Sequence, residues 1–154
     1  MFEFLGTDLS VVPHMVANDA SEVDLVTRTK IIKSRLPGGP QEFVDLGILT
    51  GRENLAQALI LRLLTPQGSL TALGHDKYGS NLHKLIGQLK TEELRNLCRA
   101  YVLEAVQQEP RVENTALEFT FDLGSEAQDT FVFTLAVQPK NTGDPLGLTL
   151  EFAL

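Results

Sequence analysis

Large apolar residues recur at every second position in three segments near the end of the chain, separated by polar residues or, at Val132 and Ala136, by smaller apolar ones. Every second position is apolar in residues 117–121, 131–137 and 148–152. Successive side chains of a strand point to opposite faces of a sheet, so this alternation predicts three strands with one face on a core. Residues 124–125 and 141–143 suit hairpin connections. We therefore predict a C-terminal three-stranded antiparallel sheet.

Residues 50–107 have helical periodicity instead, and they predict three helices. Thr50 and Glu53 have capping-box spacing, so the first helix should begin near Gly51 and end before Pro66. The body of this helix is apolar nearly all round. Such a helix belongs in the middle of a fold rather than at its surface.

The other two predicted helices follow a loop. The second should begin after Ser80, where four apolar residues have i, i+3, i+4, i+7 spacing. The third should begin at Thr91 and end about residue 107, because Pro110 keeps the residue before it out of helical geometry. The apolar set of the second helix is Leu82, Leu85, Ile86 and Leu89. The predicted buried stripe of the third helix is Leu94, Leu97, Cys98, Tyr101 and Ala105.

Residues 1–50 are predicted to contain short strands at 23–28 and 43–49, separated by the Pro-Gly-Gly-Pro breaker at 37–40. A basic run between them is either a solvated face or a docking patch for an acidic partner; it comprises Arg28, Lys30, Lys33 and Arg35. The expected fold class is α+β: three helices packed on a C-terminal three-stranded antiparallel sheet, with short N-terminal strands.

Composition and charge exclude several classes of function. The 154 residues carry a net charge of −7, and residues 112–154 hold seven acids but one base, Lys140. Nucleic-acid binding needs clustered basic residues, so this balance argues against it. The single cysteine, Cys98, is expected to be a small core residue in a reducing compartment. The apolar stretch 55–64 is too short to cross a bilayer, and residues 1–5 lack the pattern of a signal peptide, so we expect a soluble cytosolic protein.

Few residues suggest catalysis or metal binding. His75 and His83 are weak evidence for a metal site, because metal ligands must converge. No nucleophile elbow, phosphate loop or dinucleotide fingerprint occurs. Two of the carboxylates Glu53, Glu104 and Glu109 could be imagined as a glycosidase pair, but twenty acids in one chain produce such pairs by chance. We expect no catalytic residue, no metal and no cofactor.

The segment Glu109-Pro110-Arg111 is chemically distinctive. If it is extended, residues 109 and 111 lie on the same face, with a carboxylate beside a guanidinium. One interpretation is a local salt bridge, which contributes little when exposed. The other is a paired-charge site that binds a partner bidentately. The residues alone leave both interpretations open.

Several segments in a fixed order resemble a known family. They are residues 51–58 (Gly-Arg-Glu-Asn-Leu-Ala-Gln-Ala), 61–69 (Leu-Arg-Leu-Leu-Thr-Pro-Gln-Gly-Ser), 76–80 (Asp-Lys-Tyr-Gly-Ser), 109–112 (Glu-Pro-Arg-Val) and 150–154 (Leu-Glu-Phe-Ala-Leu). Together they resemble the lysozyme-like baseplate wedge proteins of contractile phage tails, type VI secretion baseplates and contractile injection systems, and most closely the injection-system branch. The resemblance covers 51–154 as a baseplate wedge domain and leaves 1–50 as an N-terminal strand and loop extension.

The resemblance implies a structural role without enzymatic activity. Family members link baseplate wedges to the contractile sheath, six copies to a ring. The expected partners are the larger wedge subunits, the sheath protein and the central hub or spike, with no nucleic acid and no membrane. Assembly is expected in the bacterial cytoplasm, followed by incorporation into the baseplate of a phage-tail-like particle. Glu109, Pro110 and Arg111 match the motif that fastens the protein to the wedge bundle.

The C-terminal sheet is expected to seed the sheath by accepting its strands, since a sheet edge can template another chain's strand. The predicted docking residues of this sheet are Glu118, Asp122, Thr149, Glu151 and Phe152. The concentrated acidity there predicts a basic complement on the arriving strands and salt-sensitive attachment.

Two other functions stay open at this point. One is a muramidase, as the family's older name suggests, with Glu109 or Glu53 as the general acid. The other is a small adaptor of the same fold that binds partners by its sheet.

Overall fold

A computed structural model describes the fold over residues 5–16, 19–25, 27–32, 41–141 and 143–154. Within these ranges, side-chain surroundings are described over residues 5–11, 46–113, 117–141 and 143–154. The chain divides into two compact units, Met1–Asn54 and Leu55–Leu154. No helix in the described ranges is long and apolar enough to cross a membrane.

Within the described residues, the first unit contains three antiparallel two-stranded ladders and the beginning of the first helix. β1 pairs with β6, β2 with β3, and β4 with β5. The β1–β6 ladder joins the first and last strands of this unit. Next to this ladder, the backbone N–H of Ser10 donates to the carbonyl oxygen of Gly47 at 2.7 Å. The strands are β1 (Thr7–Leu9), β2 (Val11–Val16), β3 (Asp19–Leu25), β4 (Thr27–Ile32), β5 (Gln41–Leu46) and β6 (Ile48–Thr50).

The strands predicted in this region overlap the observed ones but have different ends. The segment 23–28 covers the end of β3 and the beginning of β4, and 43–49 covers parts of β5 and β6. Arg28 and Lys30 lie in β4. The breaker at 37–40 and the rest of the basic run, Lys33 and Arg35, lie outside the described residues. Both interpretations of the basic run stay predictions.

Two α-helices form where local signals predict them. Helix α1 spans Gly51–Leu64, and all its residues except Glu53 are at least partly buried, as its apolar composition predicts. Helix α2 spans Glu92–Gln107. The Thr91 hydroxyl caps α2 by accepting a hydrogen bond from the backbone N–H of Leu94 at 3.2 Å, which satisfies one of the unpaired donors at the helix start.

The prediction of three helices on the sheet is wrong, although the fold is mixed α and β. The segment after Ser80 forms only a short 3₁₀ helix, Leu82–Leu85. It ends because Ile86 is extended and Gly87 has φ of 79°. Leu82 and Leu85 are buried, but Ile86 and Leu89 are exposed. In a 3₁₀ helix, side chains three residues apart lie on the same side. One 3₁₀ turn is therefore enough to bury Leu82 and Leu85 together, and no α-helix is needed.

The second unit contains a C-terminal antiparallel sheet with strand order β7-β8-β9. The strands are β7 (Val112–Phe121), β8 (Thr130–Pro139) and β9 (Leu146–Ala153). Phe133 lies opposite Phe121 on β7 and Leu150 on β9, which fixes the register of the sheet. The β7–β8 ladder is irregular between Glu113 and Leu117. Apolar residues of all three strands share one face, as the alternation predicts.

An aromatic cluster forms the core of this face. Phe119 stacks on Phe133 with ring centroids 4.9 Å apart, and Phe121 meets Phe119 edge to face at the same separation. The buried residues of α2 are Cys98, Val102, Ala105 and Val106. The predicted stripe is therefore wrong at Leu97, which is exposed. Burial raises the pKa of the Cys98 thiol to about 12, as expected of a core cysteine.

Candidate docking sites

The Glu109-Pro110-Arg111 segment is a tight turn rather than an extended strand. The N–H of Glu109 donates to the carbonyl oxygen of Val106 at 3.0 Å, and the N–H of Val112 donates to the carbonyl oxygen of Glu109 at 3.1 Å. Pro110 thus occupies the second position of a four-residue turn between α2 and β7, where its fixed φ is favourable. The two charged side chains are brought together by this turn and not by strand geometry.

The carboxylate of Glu109 is buried and bound within the chain. Its Oε1 accepts a hydrogen bond from Nε of Arg111 at 2.6 Å, and its Oε2 lies 3.4 Å from Nη2 of Arg62 in α1. The side chain of Glu109 is 5% exposed, whereas that of Arg111 is 22% exposed. Glu109 therefore holds Arg111, and the guanidinium is the member of the pair that solvent reaches.

Arg62 lies between this carboxylate and the ring of Tyr78. The Cζ of Arg62 is 4.4 Å from the centroid of the ring, within the range of a cation–π contact. Arg62 is 8% exposed, and its Nε has no hydrogen-bond partner in the described part of the chain. The sequence prediction missed both residues, and the available signal was a basic residue inside an otherwise apolar helix.

Tyr78 is positioned by a loop that closes on the end of α1. The N–H of Ser80 donates to the carbonyl oxygen of Thr65 at 2.8 Å, and the Ser80 hydroxyl donates to the carbonyl oxygen of Leu63 at 2.6 Å. Gly79 has φ of 106° and lies so close to the backbone of Thr65 that a Cβ would clash. Only glycine suits this position, and it lets the chain come back into contact with the end of α1 directly after Tyr78.

The charges of this cluster shift the pKa values of its acid and its phenol. Burial raises the pKa of Glu109, but hydrogen bonds from Arg111 and the charges of Arg111 and Arg62 outweigh it, and the net pKa is lowered. The pKa of Tyr78 is raised, mainly by burial and further by Glu109, against the opposing charge of Arg62. Near neutral pH the cluster therefore contains an ionised carboxylate between two guanidinium groups. We name the residues Arg62, Tyr78, Glu109 and Arg111 the turn cluster.

A second buried carboxylate, Glu126, lies near the beginning of α2. Its two oxygens accept hydrogen bonds from both Nη atoms of Arg95, at 2.6 and 2.9 Å, and Nζ of Lys90 lies 2.9 Å from Oε2. The Nζ of Lys90 also donates to the carbonyl oxygens of Ala127 and Thr130, at 2.7 and 2.6 Å. We name Lys90, Arg95 and Glu126 the hairpin cluster, because it ties α2 to the β7–β8 connection. The sequence prediction missed it.

The predicted docking residues of the sheet lie on both of its edges. Glu118 is exposed on β7 and Asp122 directly after that strand, and Thr149 and Glu151 are exposed on β9. Phe152 is partly buried on the opposite, aromatic face. Asp122 accepts hydrogen bonds from the backbone N–H of Gly124 and the hydroxyl of Ser125, at 3.2 and 2.7 Å, so it also stabilises the turn that follows β7.

The hydrogen-bond parity of the sheet identifies the outward groups of β9. The N–H of Asp122 donates to the carbonyl oxygen of Val132. Backbone groups alternate in direction along a strand, so the even-numbered residues of β8 form hydrogen bonds with β7 and the odd-numbered residues form them with β9. Phe133 is one of the odd-numbered residues of β8, and it lies opposite Leu150 of β9, so the backbone of Leu150 points toward β8. The backbone groups of β9 that point away from the sheet are therefore those of Gly147, Thr149, Glu151 and Ala153.

The β7 edge of the sheet is contacted by helix α2 through a hydrogen bond, whereas in the described part of the chain the β9 edge is not. By the same parity the carbonyl oxygen of Phe119 points outward from β7, where Nη2 of Arg99 lies 3.4 Å from it. The guanidinium of Arg99 also lies over the Phe119 ring, 5.6 Å from its centroid. For the outward groups of β9, no hydrogen bond is found within the described residues. One edge is thus partly covered by α2, and the other is open.

Comparisons with known proteins give one informative likeness. Neither the protein-family models nor the curated proteins include a match to this chain. Among solved structures, the chain is similar to a protein of Geobacter sulfurreducens described as a candidate tail lysozyme. The TM-score is 0.55 and the identity 21%, over 66% of this chain and 89% of that one. The chain therefore has a tail-lysozyme-like fold.

Proposed function

We propose that this chain is a structural subunit of a phage-tail-like contractile machine, in which it links the baseplate wedge to the sheath. The likeness in fold to a described tail protein supports the coarser part of this proposal, a role related to phage tails. The finer role draws on the family resemblance of the sequence and on two surfaces of the second unit. The subunit would assemble in the bacterial cytoplasm before it joins the particle.

The observation that carries the proposal is the open edge of β9. An arriving strand would pair with its outward backbone groups and extend the sheet to four strands. Leu148, Leu150 and Phe152 are only partly buried, so the same strand would also cover their exposed surface with its own apolar side chains. Main-chain hydrogen bonds would supply affinity, and the apolar row would set the register.

Only some of the acidic residues of the sheet lie at the edge that would accept a sheath strand. Glu151 lies on β9, whereas Glu118 lies on β7 and Asp122 directly after it, at the other edge. A strand that adds to β9 would therefore meet the charge of Glu151 first. We expect a basic residue of the sheath strand opposite it, and attachment that weakens as salt screens the pair.

The turn cluster is the proposed contact with the wedge bundle. Glu109 is occupied by Arg111 and Arg62, so it acts as a positioning residue. Arg111 has the larger exposed fraction, and an acidic group of the wedge subunits would be its partner. Pro110 fixes the turn that holds the two residues together.

The environment of Glu109 favours this role over a muramidase. A general acid must be protonated near neutral pH, which requires a raised pKa. The pKa of Glu109 is lowered by its two guanidinium neighbours despite burial. Turnover of purified peptidoglycan by this protein, abolished in Glu109→Gln, would contradict the structural role.

Complementation of a gene deletion in the source bacterium tests the proposal. The deletion strain should release no sheathed particles, as seen by electron microscopy, and the wild-type gene should restore them. Thr149→Pro removes an outward N–H of β9 without touching the β8 ladder, so it should yield baseplates that lack sheath. Thr149→Ala keeps that N–H and is the matched control. Arg111→Ala should stop assembly earlier, before complete baseplates form.

Normal sheathed particles from the deletion strain would overturn the proposal. Equal particle yields from Thr149→Pro and Thr149→Ala would overturn the part assigned to β9. Circular dichroism of each purified variant shows whether a loss of particles reflects unfolding instead of lost docking.

A further inference from the structure

The open edge of β9 is complementary to itself. In an antiparallel pairing of two copies with Leu150 opposite Leu150, Thr149 lies opposite Glu151 and Gly147 lies opposite Ala153. Both members of each of these pairs point their backbone groups outward, so all the outward groups of β9 find partners. No outward group of one strand is left opposite an inward group of the other.

Other registers satisfy fewer groups. A shift of one residue places outward-facing residues opposite inward-facing ones and loses the ladder. A shift of two residues, with Thr149 opposite Thr149, places Ala153 opposite Pro145, which has no N–H to donate. The pairing centred on Leu150 is therefore the favoured register.

The side chains suit the same register. On the aromatic face, Leu148 lies opposite Phe152 and Leu150 opposite its own copy, so partly exposed apolar residues cover one another. On the other face, the carboxylate of Glu151 lies opposite the hydroxyl of Thr149 rather than opposite another acid. The two Glu151 residues are diagonal neighbours, roughly 7–8 Å apart, and weaken the pairing through modest repulsion.

We propose that the free protein forms a two-fold symmetric dimer by antiparallel pairing of β9 with β9, which joins the two sheets into one of six strands. The partner at the open edge is a second copy of this chain. This inference depends on the edge and not on the proposed function. If both hold, the dimer occupies the edge that a sheath strand needs, and the two forms of pairing exclude each other.

Sedimentation velocity over a concentration series tests the dimer with the full chain. The wild type should shift from the 16.9 kDa monomer to twice that mass as concentration rises. Thr149→Pro changes both halves of a symmetric interface and should weaken dimerisation about tenfold or more, whereas Thr149→Ala should change it little. A monomer at all concentrations, or equal weakening by the two variants, would overturn the dimer.

A gain of affinity provides a test that misfolding cannot imitate. Glu151→Gln removes the diagonal repulsion and should tighten the dimer about threefold. Raised salt should tighten the wild-type dimer by screening the same charges, and should tighten that of Glu151→Gln less. Sheath attachment is expected to respond to salt in the opposite direction, so the two pairings are distinguishable. A wild-type dimer that salt weakens would contradict the proposed register.

Disulfide formation reports the register directly. Residues at the two-fold axis face each other without exchanging hydrogen bonds, at about 4.5 Å between Cα atoms, which is within reach of a disulfide. Leu150→Cys should therefore cross-link to a dimer under mild oxidation, while Thr149→Cys should cross-link far less. Cys98 is buried, so it does not compete. The reverse order of yields would assign a different register and overturn the one proposed.

Discussion

The turn cluster and the hairpin cluster each place a buried carboxylate between two basic side chains, but the carboxylates are bound differently. Glu126 has bidentate contacts to Arg95 at 2.6 and 2.9 Å and a third contact, to Nζ of Lys90, at 2.9 Å. Glu109 has one short contact, to Arg111, and a longer one of 3.4 Å to Arg62. Bidentate, short pairs are the strong ones. Lys90 and Arg111 are exposed to nearly the same degree, 21% and 22%, so the two clusters differ in how firmly the carboxylate is bound, and the hairpin cluster is the stronger tie.

The largest effect is expected from Glu126→Gln. The amide cannot neutralise Arg95 and Lys90, and both lose their buried anion; Arg95 keeps only the exposed carboxylate of Glu92, at 3.4 Å. The free energy of unfolding, measured by chemical denaturation, should fall by about 2–3 kcal/mol. Glu104→Gln removes an exposed carboxylate from α2 and should change stability by no more than about 0.5 kcal/mol. Similar losses from the two variants would remove the distinction between a buried tie and a surface charge.

Acid should break the hairpin cluster in a defined pH window. Hydrogen bonds from Arg95, helped by Lys90 and outweighing burial, lower the pKa of Glu126 from 4.5 to about 2. Between these values the unfolded chain binds a proton that the folded chain does not, so stability falls as pH decreases from about 4.5 to about 2. Denaturation at several pH values should give a shallower decrease for Glu126→Gln than for the wild type. Parallel curves would show that this carboxylate does not control acid unfolding.

A smaller loss of stability is expected from Glu109→Gln, about 1–2 kcal/mol, because the amide can still accept a hydrogen bond from Arg111. The same variant should impair baseplate assembly, since Arg111 loses the ion pair that orients it. Tyr78→Phe keeps the ring over Arg62 and serves as the control, with both properties nearly unchanged. A Glu109→Gln protein that is less stable but assembles normally would assign the turn cluster a structural role only.

Local signals were sufficient for the two α-helices and most of the strands of the second unit. Helix starts were predicted from Thr50 and Thr91, and the end of α2 from Pro110, and each of these residues lies within a few positions of the helix end that it marks. The strands were predicted from an alternation with a period of two, which is also visible over a few residues. The segment after Ser80 was predicted wrongly because its apolar spacing fits one 3₁₀ turn as well as an α-helix. Gly87 ends that turn before a second one can form.

The composition of the candidate sites could not be predicted in the same way. Arg62 and Glu109 are 47 residues apart, and Arg95 and Glu126 are 31 apart. Pairing over such distances depends on how α1, α2 and the sheet pack, and twenty acids offer many alternative partners. The outward groups of β9 also required the observed register, because the side-chain alternation does not reveal which backbone groups bond a neighbour.

The contact of Arg99 with the outward carbonyl oxygen of Phe119 has a consequence for stoichiometry. A sheet with two open edges can add strands without limit, and copies of it can form fibres. Because Arg99 of α2 occupies the outward carbonyl oxygen of Phe119, strand addition is hindered at the β7 edge, and β9 is the edge at which each copy of this chain accepts a strand more readily. Pairing between copies would therefore favour dimers over longer assemblies, and in a ring of these subunits each member would offer its β9 edge to one sheath strand.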